Sequence, residues 1–192
     1  MDWFIADTHY AHKNIIRGVS EWPPDSGQRP FDSFEDHNSW LVNMINEDVK
    51  HEDVLWHLGD WSFGGIQRIA EFRRRLNVGT VRLVLGNHDH NIIKANEEAG
   101  GTLFDIVSQY VEYHEDGVRI VLMHYPIESW NQMERGAVHL HGHVHGKVRT
   151  MQGRYDVGVD ALGLISLEHV QKLPKANEKR HGREFGGNKF GT

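Results

Sequence analysis

An alternation of short apolar runs with helix-like segments is the strongest constraint on how this chain folds. Residues 2–6, 53–58 and 80–85 are apolar runs of strand length. Between them, apolar residues recur with helical spacing after a capping Ser33 and again over residues 66–76. Strands that alternate with helices favour a parallel sheet covered by helices. The sequence therefore predicts an α/β fold.

The second half of the chain has a different pattern, which favours hairpins. Residues 103–114 and 118–123 are strand-like and are separated by a short turn that contains glycine, so they predict a hairpin. A further strand is predicted over residues 137–141. Residues 147–150 and 154–159 predict a last hairpin.

The length and the composition predict one domain followed by a tail. A chain of 192 residues can bury a sizeable core, and we expect that core within residues 1–173. Residues 174–192 are rich in Lys, Glu, Asn and Gly without periodicity, which predicts a mobile tail. The sequence lacks cysteine, a membrane-spanning apolar run and a secretory signal, so we expect a cytoplasmic protein without a membrane partner.

The charge and the histidine content narrow the possible partners. The formal net charge is −6, which disfavours a grip on long nucleic acid. A small phosphate substrate remains compatible with this charge, because bound cations can supply a local positive field. The chain has 15 histidines and no cysteine, and nitrogen and oxygen ligands without sulfur suit zinc, manganese, iron or nickel.

Polar clusters follow five predicted strands at the point where each strand ends. They are Asp7 with His9, Gly59-Asp60, Gly86-Asn87-His88-Asp89, His124, and Gly142-His143-Val144-His145. Any one cluster is equally typical of a polar turn, a helix cap or a core histidine. Five together indicate a site, because ligands in open α/β sheets bind beyond the carboxyl ends of the strands. The spacing of two within Asp7/His9 and His143/His145 would direct each pair to one side of an extended chain.

The ordered set resembles the signature of the calcineurin-like metallophosphoesterases. That signature is Asp-x-His, Gly-Asp, Gly-Asn-His-Asp/Glu, a single His and Gly-His-x-His. All five motifs occur here in that order between residues 7 and 145. The resemblance implies a four-layer α-β-β-α sandwich with two mixed sheets.

The resemblance also implies two divalent metal ions and assigns their ligands. One ion would be held by Asp7, His9, Asp60 and His145. The other would be held by Asp60, Asn87, His124 and His143, so that Asp60 bridges the two ions. We expect manganese first, with iron, zinc or nickel as alternatives.

The implied reaction is hydrolysis of a phosphate monoester or diester by a metal-bound hydroxide. Two ions about 3.5–4 Å apart can stabilise both the attacking and the leaving oxygen of a phosphoryl group. His88 would protonate the leaving oxygen or orient the water that does so, and Asp89 would hold the His88 ring. We expect an open site and a small soluble substrate such as a nucleotide or a cyclic nucleotide. The alternatives are a nuclease, a non-catalytic binding module on the same fold and a structural metal protein.

Several residues near the motifs have both a functional and a structural interpretation. His12 and Asn14 could face the substrate or belong to a solvated loop. His141 is a candidate for supporting a metal ligand. The aromatic residues Tyr125, Trp130 and Trp61 could stack on a base or belong to the core. For Asp156 and Asp160 we expect the polar edge of a strand.

Overall fold

The structure is a computed structural model that describes residues 1–149 and 151–177. Four α-helices and nine strands make up its regular structure in that part of the chain. In chain order they are β1 (Asp2–Ile5), α1 (Phe34–Asp48), β2 (Val54–His57), α2 (Ile66–Arg75), β3 (Thr80–Val84), α3 (Ile92–Glu98), β4 (Ile106–Ser108), β5 (Val111–Glu115), β6 (Val118–Leu122), β7 (Val138–His141), β8 (Arg154–Asp156), β9 (Ile165–Ser166) and α4 (Leu167–Lys172).

The strands form two mixed sheets. The first has the order β4-β3-β2-β1-β9, in which β1 to β4 are parallel and β9 is antiparallel to β1. The second has the order β5-β6-β7-β8, in which only β5 runs antiparallel to its neighbour. The predicted α/β sandwich of two mixed sheets is confirmed.

Two buried cores separate the layers, because successive side chains of a strand point to opposite faces. On the outer face of the first sheet, Ile5 and Leu55 belong to a core shared with Leu41 of α1 and Phe72 of α2. On its inner face, Phe4 and Trp56 belong to a core shared with the second sheet and with two residues of α4. The first sheet is therefore buried on both faces, which explains its continuous apolar runs.

A thin layer covers the outer face of the second sheet. Val121 and Ala137 are buried there together with Trp130. Within the described residues this layer consists of loops and one 3-10 turn, Met133–Arg135, whose Met133 packs against these buried side chains. The polar clusters lie at the edge of the sandwich formed by the carboxyl ends of the strands.

The predicted start of α1 at Ser33 is confirmed. The Ser33 side chain accepts a hydrogen bond from the backbone N–H of Asp36, and its hydroxyl donates to the Asp36 carboxylate at 2.7 Å. Such a cap stabilises a helix by about 1 kcal/mol, because it satisfies a backbone donor at the first turn.

Two predicted hairpins differ from the structure. The first forms only from β5 and β6, because residues 106–108 pair with β3 in the other sheet. The last predicted hairpin, over residues 147–159, is wrong: β8 pairs in parallel with β7, and its local antiparallel contact is one bridge between Met151 and Arg154. The reason is that the loop after β7 returns the chain to the start of that strand.

The end of the domain is packed as far as the structure describes it. The hydroxyl of Tyr155 donates to the carbonyl of Pro174, and Ala176 packs on the outer core of the second sheet. Most of the predicted tail, residues 178–192, lies outside the described residues. In the described part of the chain no helix has the length and apolar character that crossing a membrane requires.

Candidate metal centre

The five polar clusters meet at one edge of the sandwich. They follow β1, β2 and β3 of the first sheet and β6 and β7 of the second. Ligand atoms of Asp7, His9 and His145 all lie within 4.8 Å of one another. The same is true of Asp7, Asp60 and His124. Residues that are far apart in the sequence are therefore close enough to share a cation.

Most of these ligands are in the left-handed backbone region. Asp7, His9, Asp60, His143 and His145 have φ values of 55°, 48°, 57°, 72° and 49°. The extended geometry expected for the Asp7/His9 and His143/His145 pairs is therefore wrong, although the side chains still converge. Each such residue costs roughly 1–3 kcal/mol of strain, which surrounding contacts must hold. The N–H of His143, for example, donates to both Asp7 oxygens at 3.1 and 2.9 Å.

The motif glycines allow the ligands to approach one another. A Cβ atom on Gly86 would lie 2.3 Å from Oδ1 of Asp60. A Cβ atom on Gly142 would lie 2.5 Å from Oδ2 of Asp7. Such distances are well inside van der Waals contact, so any side chain at these two positions would displace a candidate ligand.

One group of ligands, which we call the first position, comprises Asp7, His9 and His145. The Nε2 atoms of His9 and His145 are 3.3 Å apart. Nε2 of His9 is also 4.0 Å from Oδ1 of Asp7. Three donor atoms therefore lie close enough together to bind one cation.

A second group, the second position, comprises Asn87, His124 and His143. Oδ1 of Asn87 is 3.1 Å from Nε2 of His124 and 2.8 Å from Nδ1 of His143. Asp60 lies between the two positions, because its Oδ2 is 3.7 Å from Nε2 of His9 and 3.6 Å from Nε2 of His124.

The hydrogen bonding of His124 shows that this group fits a cation. Its Nδ1 lies 2.7 Å from the carbonyl oxygen of Leu58, so Nδ1 carries the donated proton. In neutral His124, Nε2 then presents a lone pair toward the oxygens of Asn87 and Asp60. A divalent cation among these atoms would replace that repulsion with coordination. The donors are nitrogen and oxygen only, which suits manganese, iron, zinc or nickel.

Burial shifts the protonation equilibria of the cluster. It raises the pKa of Asp7 to about 8, and the neighbouring Asp60 carboxylate adds to that effect. It lowers the pKa of His9 well below the usual value, and the positive charge of Arg29 acts in the same direction. Metal binding requires a charged carboxylate and a neutral imidazole, so a bound cation would reinforce the shift at His9 and reverse the one at Asp7.

His88 stands beside both positions. Its backbone N–H donates to Oδ1 of Asp60 at 2.9 Å, while its side chain is exposed. The ring lies 4.8 Å from that of Phe63 and 5.9 Å from that of His9, measured between centroids. The ring is thus accessible to a substrate at the edge of the site.

The expected contact between Asp89 and the His88 ring is wrong. The buried Asp89 carboxylate accepts hydrogen bonds from the backbone N–H groups of Asp60 and Gly86 at 2.8 Å and of Trp61 at 3.0 Å. Both oxygens are therefore engaged by the backbone. The physical reason is that a buried carboxylate needs donors, and these two strand-end turns supply three.

The two positions open into a cleft of about 430 Å³. The loop before α1 contributes His12 and Trp22 to its wall, and Lys147 also lines it. The His12 ring stacks on Phe63 with 3.7 Å between centroids, and Trp22 meets His12 edge-on. Asn14 instead accepts a hydrogen bond from the backbone of Glu21 at 3.0 Å, as expected for a loop residue.

The other aromatic and histidine candidates have mostly structural places. Trp61 and Trp130 are buried in the cores, whereas Tyr125 is 39% exposed with its ring 4.8 Å from that of His143. Nδ1 of His141 lies 2.8 Å from the carbonyl oxygen of Gly142, and burial lowers the pKa of His141, with the nearby His124 acting in the same direction. His141 lines a separate cavity of about 660 Å³.

One polar group in the site, formed by Arg29 and Asp160, was not expected from the sequence. Asp160, expected at a plain strand edge, has Oδ2 2.7 Å from Nδ1 of His145 and 2.8 Å from Nη2 of Arg29. The hydrogen bond raises the pKa of His145. Burial opposes ionisation of Asp160, but its bonds to His145 and Arg29 lower its pKa overall. Arg29 stands in a Gly- and Pro-containing loop without any motif.

Relatives of this chain have uninformative names. No family model matches the chain. A Gene 66 protein of Mycobacterium phage D29 is 26% identical over 198 residues, which cover 89% of this chain and 94% of that protein. An uncharacterized protein of Methanocaldococcus jannaschii is 29% identical over 182 residues, which cover 89% of each chain.

Solved structures support the fold. A protein of unknown function from Aquifex aeolicus matches with a TM-score of 0.58 and 24% identity, covering 83% of this chain and 90% of that one. An archaeal phosphodiesterase matches with a TM-score of 0.45 and 19% identity, covering 78% and 76%. An E. coli phosphoesterase matches with a TM-score of 0.44 and 15% identity, covering 86% and 81%. The match to the Aquifex aeolicus protein supports the fold, and the functional argument rests on the residues of the site.

Proposed function

We propose that this chain is a calcineurin-like metallophosphoesterase that hydrolyses phosphate esters with the help of two divalent metal ions. The observation that carries the proposal is the convergence of the motif side chains, from five strand ends, on one open cleft. A structural metal site would instead enclose its ion and leave no room for a substrate.

We assign each side chain of the donor set to one of two ions. Asp7, His9 and His145 would hold one ion, and Asn87, His124 and His143 the other. Asp60 would bridge them, since its Oδ2 lies at nearly equal distances from His9 and His124. When bound, two such ions supply Lewis acidity that activates a water and neutralises charge on the phosphoryl oxygens. Manganese is our first expectation, with iron, zinc or nickel as alternatives.

His88 is the group that we assign to the leaving oxygen. Its ring is exposed to the cleft, and its backbone is held by Asp60. A proton on the imidazole can pass to the leaving alkoxide, which would otherwise depart as a strong base. Asp89 would contribute indirectly, because its bonds to Gly86 and Asp60 fix the turn that carries His88.

The cleft suits a small phosphate ester that carries an aromatic group. A volume of about 430 Å³ accommodates a nucleotide or a cyclic nucleotide. The ring of Trp22 and the stacked pair of His12 and Phe63 offer aromatic surfaces for a base, and Lys147 offers a positive charge. The net charge of −6 disfavours a long nucleic acid as substrate.

A metal-dependent assay tests the proposal. We expect purified protein to hydrolyse aryl phosphate monoesters or diesters with added manganese, to stop when EDTA is added, and to resume when manganese is restored in excess. The matched control is Asp105→Asn, which removes an exposed carboxylate paired with Arg82 and far from the motifs in the sequence. Absence of turnover with manganese, nickel, zinc and iron would favour a binding module and overturn the proposal.

A further inference from the structure

Arg29 is buried next to the first position and forms several hydrogen bonds there; we call it the hub. The side chain is 4% exposed. Its Nε and Nη2 donate to the two oxygens of Asp160 at 2.9 and 2.8 Å. Nη2 also donates to the carbonyl of Asp7 at 2.7 Å, and Nη1 contacts the carbonyl of Thr8 at 2.8 Å and Nε2 of His37 at 3.0 Å. A buried cation with this many partners holds its surroundings in one arrangement.

The hub reaches the first position by two routes. Through Asp160 it fixes the ring of His145, whose Nδ1 donates to Oδ2 of that carboxylate at 2.7 Å. His145 is then held with Nε2 toward Nε2 of His9. Through the carbonyls of Asp7 and Thr8 it supports the left-handed turn that presents the Asp7 side chain.

The histidines of the second position lack such support. Nδ1 of His124 donates to the neutral carbonyl of Leu58, and Nδ1 of His143 faces Asn87. Among the described residues, His145 is the candidate ligand whose other ring nitrogen meets a carboxylate. A carboxylate behind an imidazole fixes the tautomer and makes the free nitrogen a better electron donor.

We propose that Arg29 and Asp160 are positioning residues that strengthen metal binding selectively at the first position. The inference rests on the metal-binding part of the proposed function and is independent of whether a substrate is hydrolysed. Arg29 contributes a planar fork that engages both oxygens of Asp160, and a lysine at that place cannot reproduce this geometry. Asp160 contributes the negative charge behind His145. The two metal positions are consequently unequal in affinity.

Calorimetric titration of metal-free protein with manganese chloride tests the inference. Wild-type protein should show two binding events, the tighter one at the first position. Asp160→Asn keeps an oxygen that can accept from His145 but removes the charge. We therefore expect the tighter event to weaken by about 10- to 100-fold and the weaker event to stay unchanged. Arg29→Lys should weaken the same event. Asp105→Asn, which breaks a single exposed Arg–Asp contact, should change neither event.

Each outcome of the titration supports or overturns a distinct statement. Wild-type protein that binds none of manganese, nickel, zinc and iron overturns the proposed function itself. If wild-type protein binds two ions and Asp160→Asn binds each of them as tightly as wild type does, the positioning role alone is overturned. Equal weakening of both events overturns the selectivity. If the melting temperature of Arg29→Lys in EDTA is so low that this variant is unfolded during the titration, the Asp160→Asn titration alone tests the proposal.

Discussion

Asp89→Ala tests the anchoring of the two strand-end turns. The substitution leaves three backbone N–H groups without their acceptor, those of Asp60, Trp61 and Gly86. A buried unsatisfied donor costs about 1–3 kcal/mol, so three would cost roughly 3–9 kcal/mol. Two effects reduce this sum. The hydrogen bond from Gly86 is only half-buried, so breaking it costs less, and burial raises the pKa of Asp89, so removing the carboxylate also removes a desolvation cost. We therefore expect a loss of about 3 kcal/mol in unfolding free energy.

Thermal unfolding in EDTA measures this loss without a contribution from metal. For a chain of this size, about 3 kcal/mol lowers the melting temperature by about 6–12 °C. Asp89→Asn is the matched variant: its amide oxygen can still accept from Asp60 and Gly86, so its loss should be smaller. His88→Ala should change the stability by no more than about 0.5 kcal/mol, because that ring is exposed. A melting temperature for Asp89→Ala within about 2 °C of that of wild type would refute the anchoring role.

Four further predictions follow from the site. Asp60→Ala should abolish turnover and weaken both metal-binding events, because it removes the bridge; two ions at full occupancy in that variant would contradict the assignment. His88→Ala should keep its metal content but slow turnover, more for alkyl than for aryl esters, whose leaving groups need less protonation; an equal loss for both would exclude the acid role. If a base stacks on Trp22, Trp22→Ala should raise KM for a nucleotide about fivefold or more and leave KM for methyl phosphate esters unchanged in steady-state kinetics. In metal-free protein, Asp7 should contribute a stability that is lost as the pH rises from 3.8 to about 8, because folded Asp7 retains a proton that the unfolded chain releases; denaturant titrations should therefore show wild type losing stability relative to Asp7→Asn over this range, and parallel pH profiles would contradict the assignment.

The strand ends and their ligands could be predicted because both depend on local chemistry. The apolar runs before Asp7, Asp60 and Asn87 have strand length, and the parallel sheet follows from the helices between them. The motif glycines are also local signals. The reason why glycine is required becomes evident only in the structure, where a Cβ atom on Gly86 or Gly142 would collide with a carboxylate oxygen.

Contacts between distant segments could not be predicted in this way. Asp160 and Arg29 are 131 residues apart, and neither belongs to a motif. The last predicted hairpin was wrong because the partner of β8 was decided by β7 and not by the adjacent residues. The backbone at Asp7 also departs from the extended chain that its spacing suggested.

The sequence by itself determined which side chains could bind a cation and the order in which strands present them, because residue type and periodicity are properties of short segments. Only the tertiary structure decided what each polar group meets. It turned Asp89 toward three backbone donors and placed the charge of Asp160 behind His145. The physical reason is that a buried charge must find its partners in space, and those partners come from whichever segments the packing of two sheets brings together.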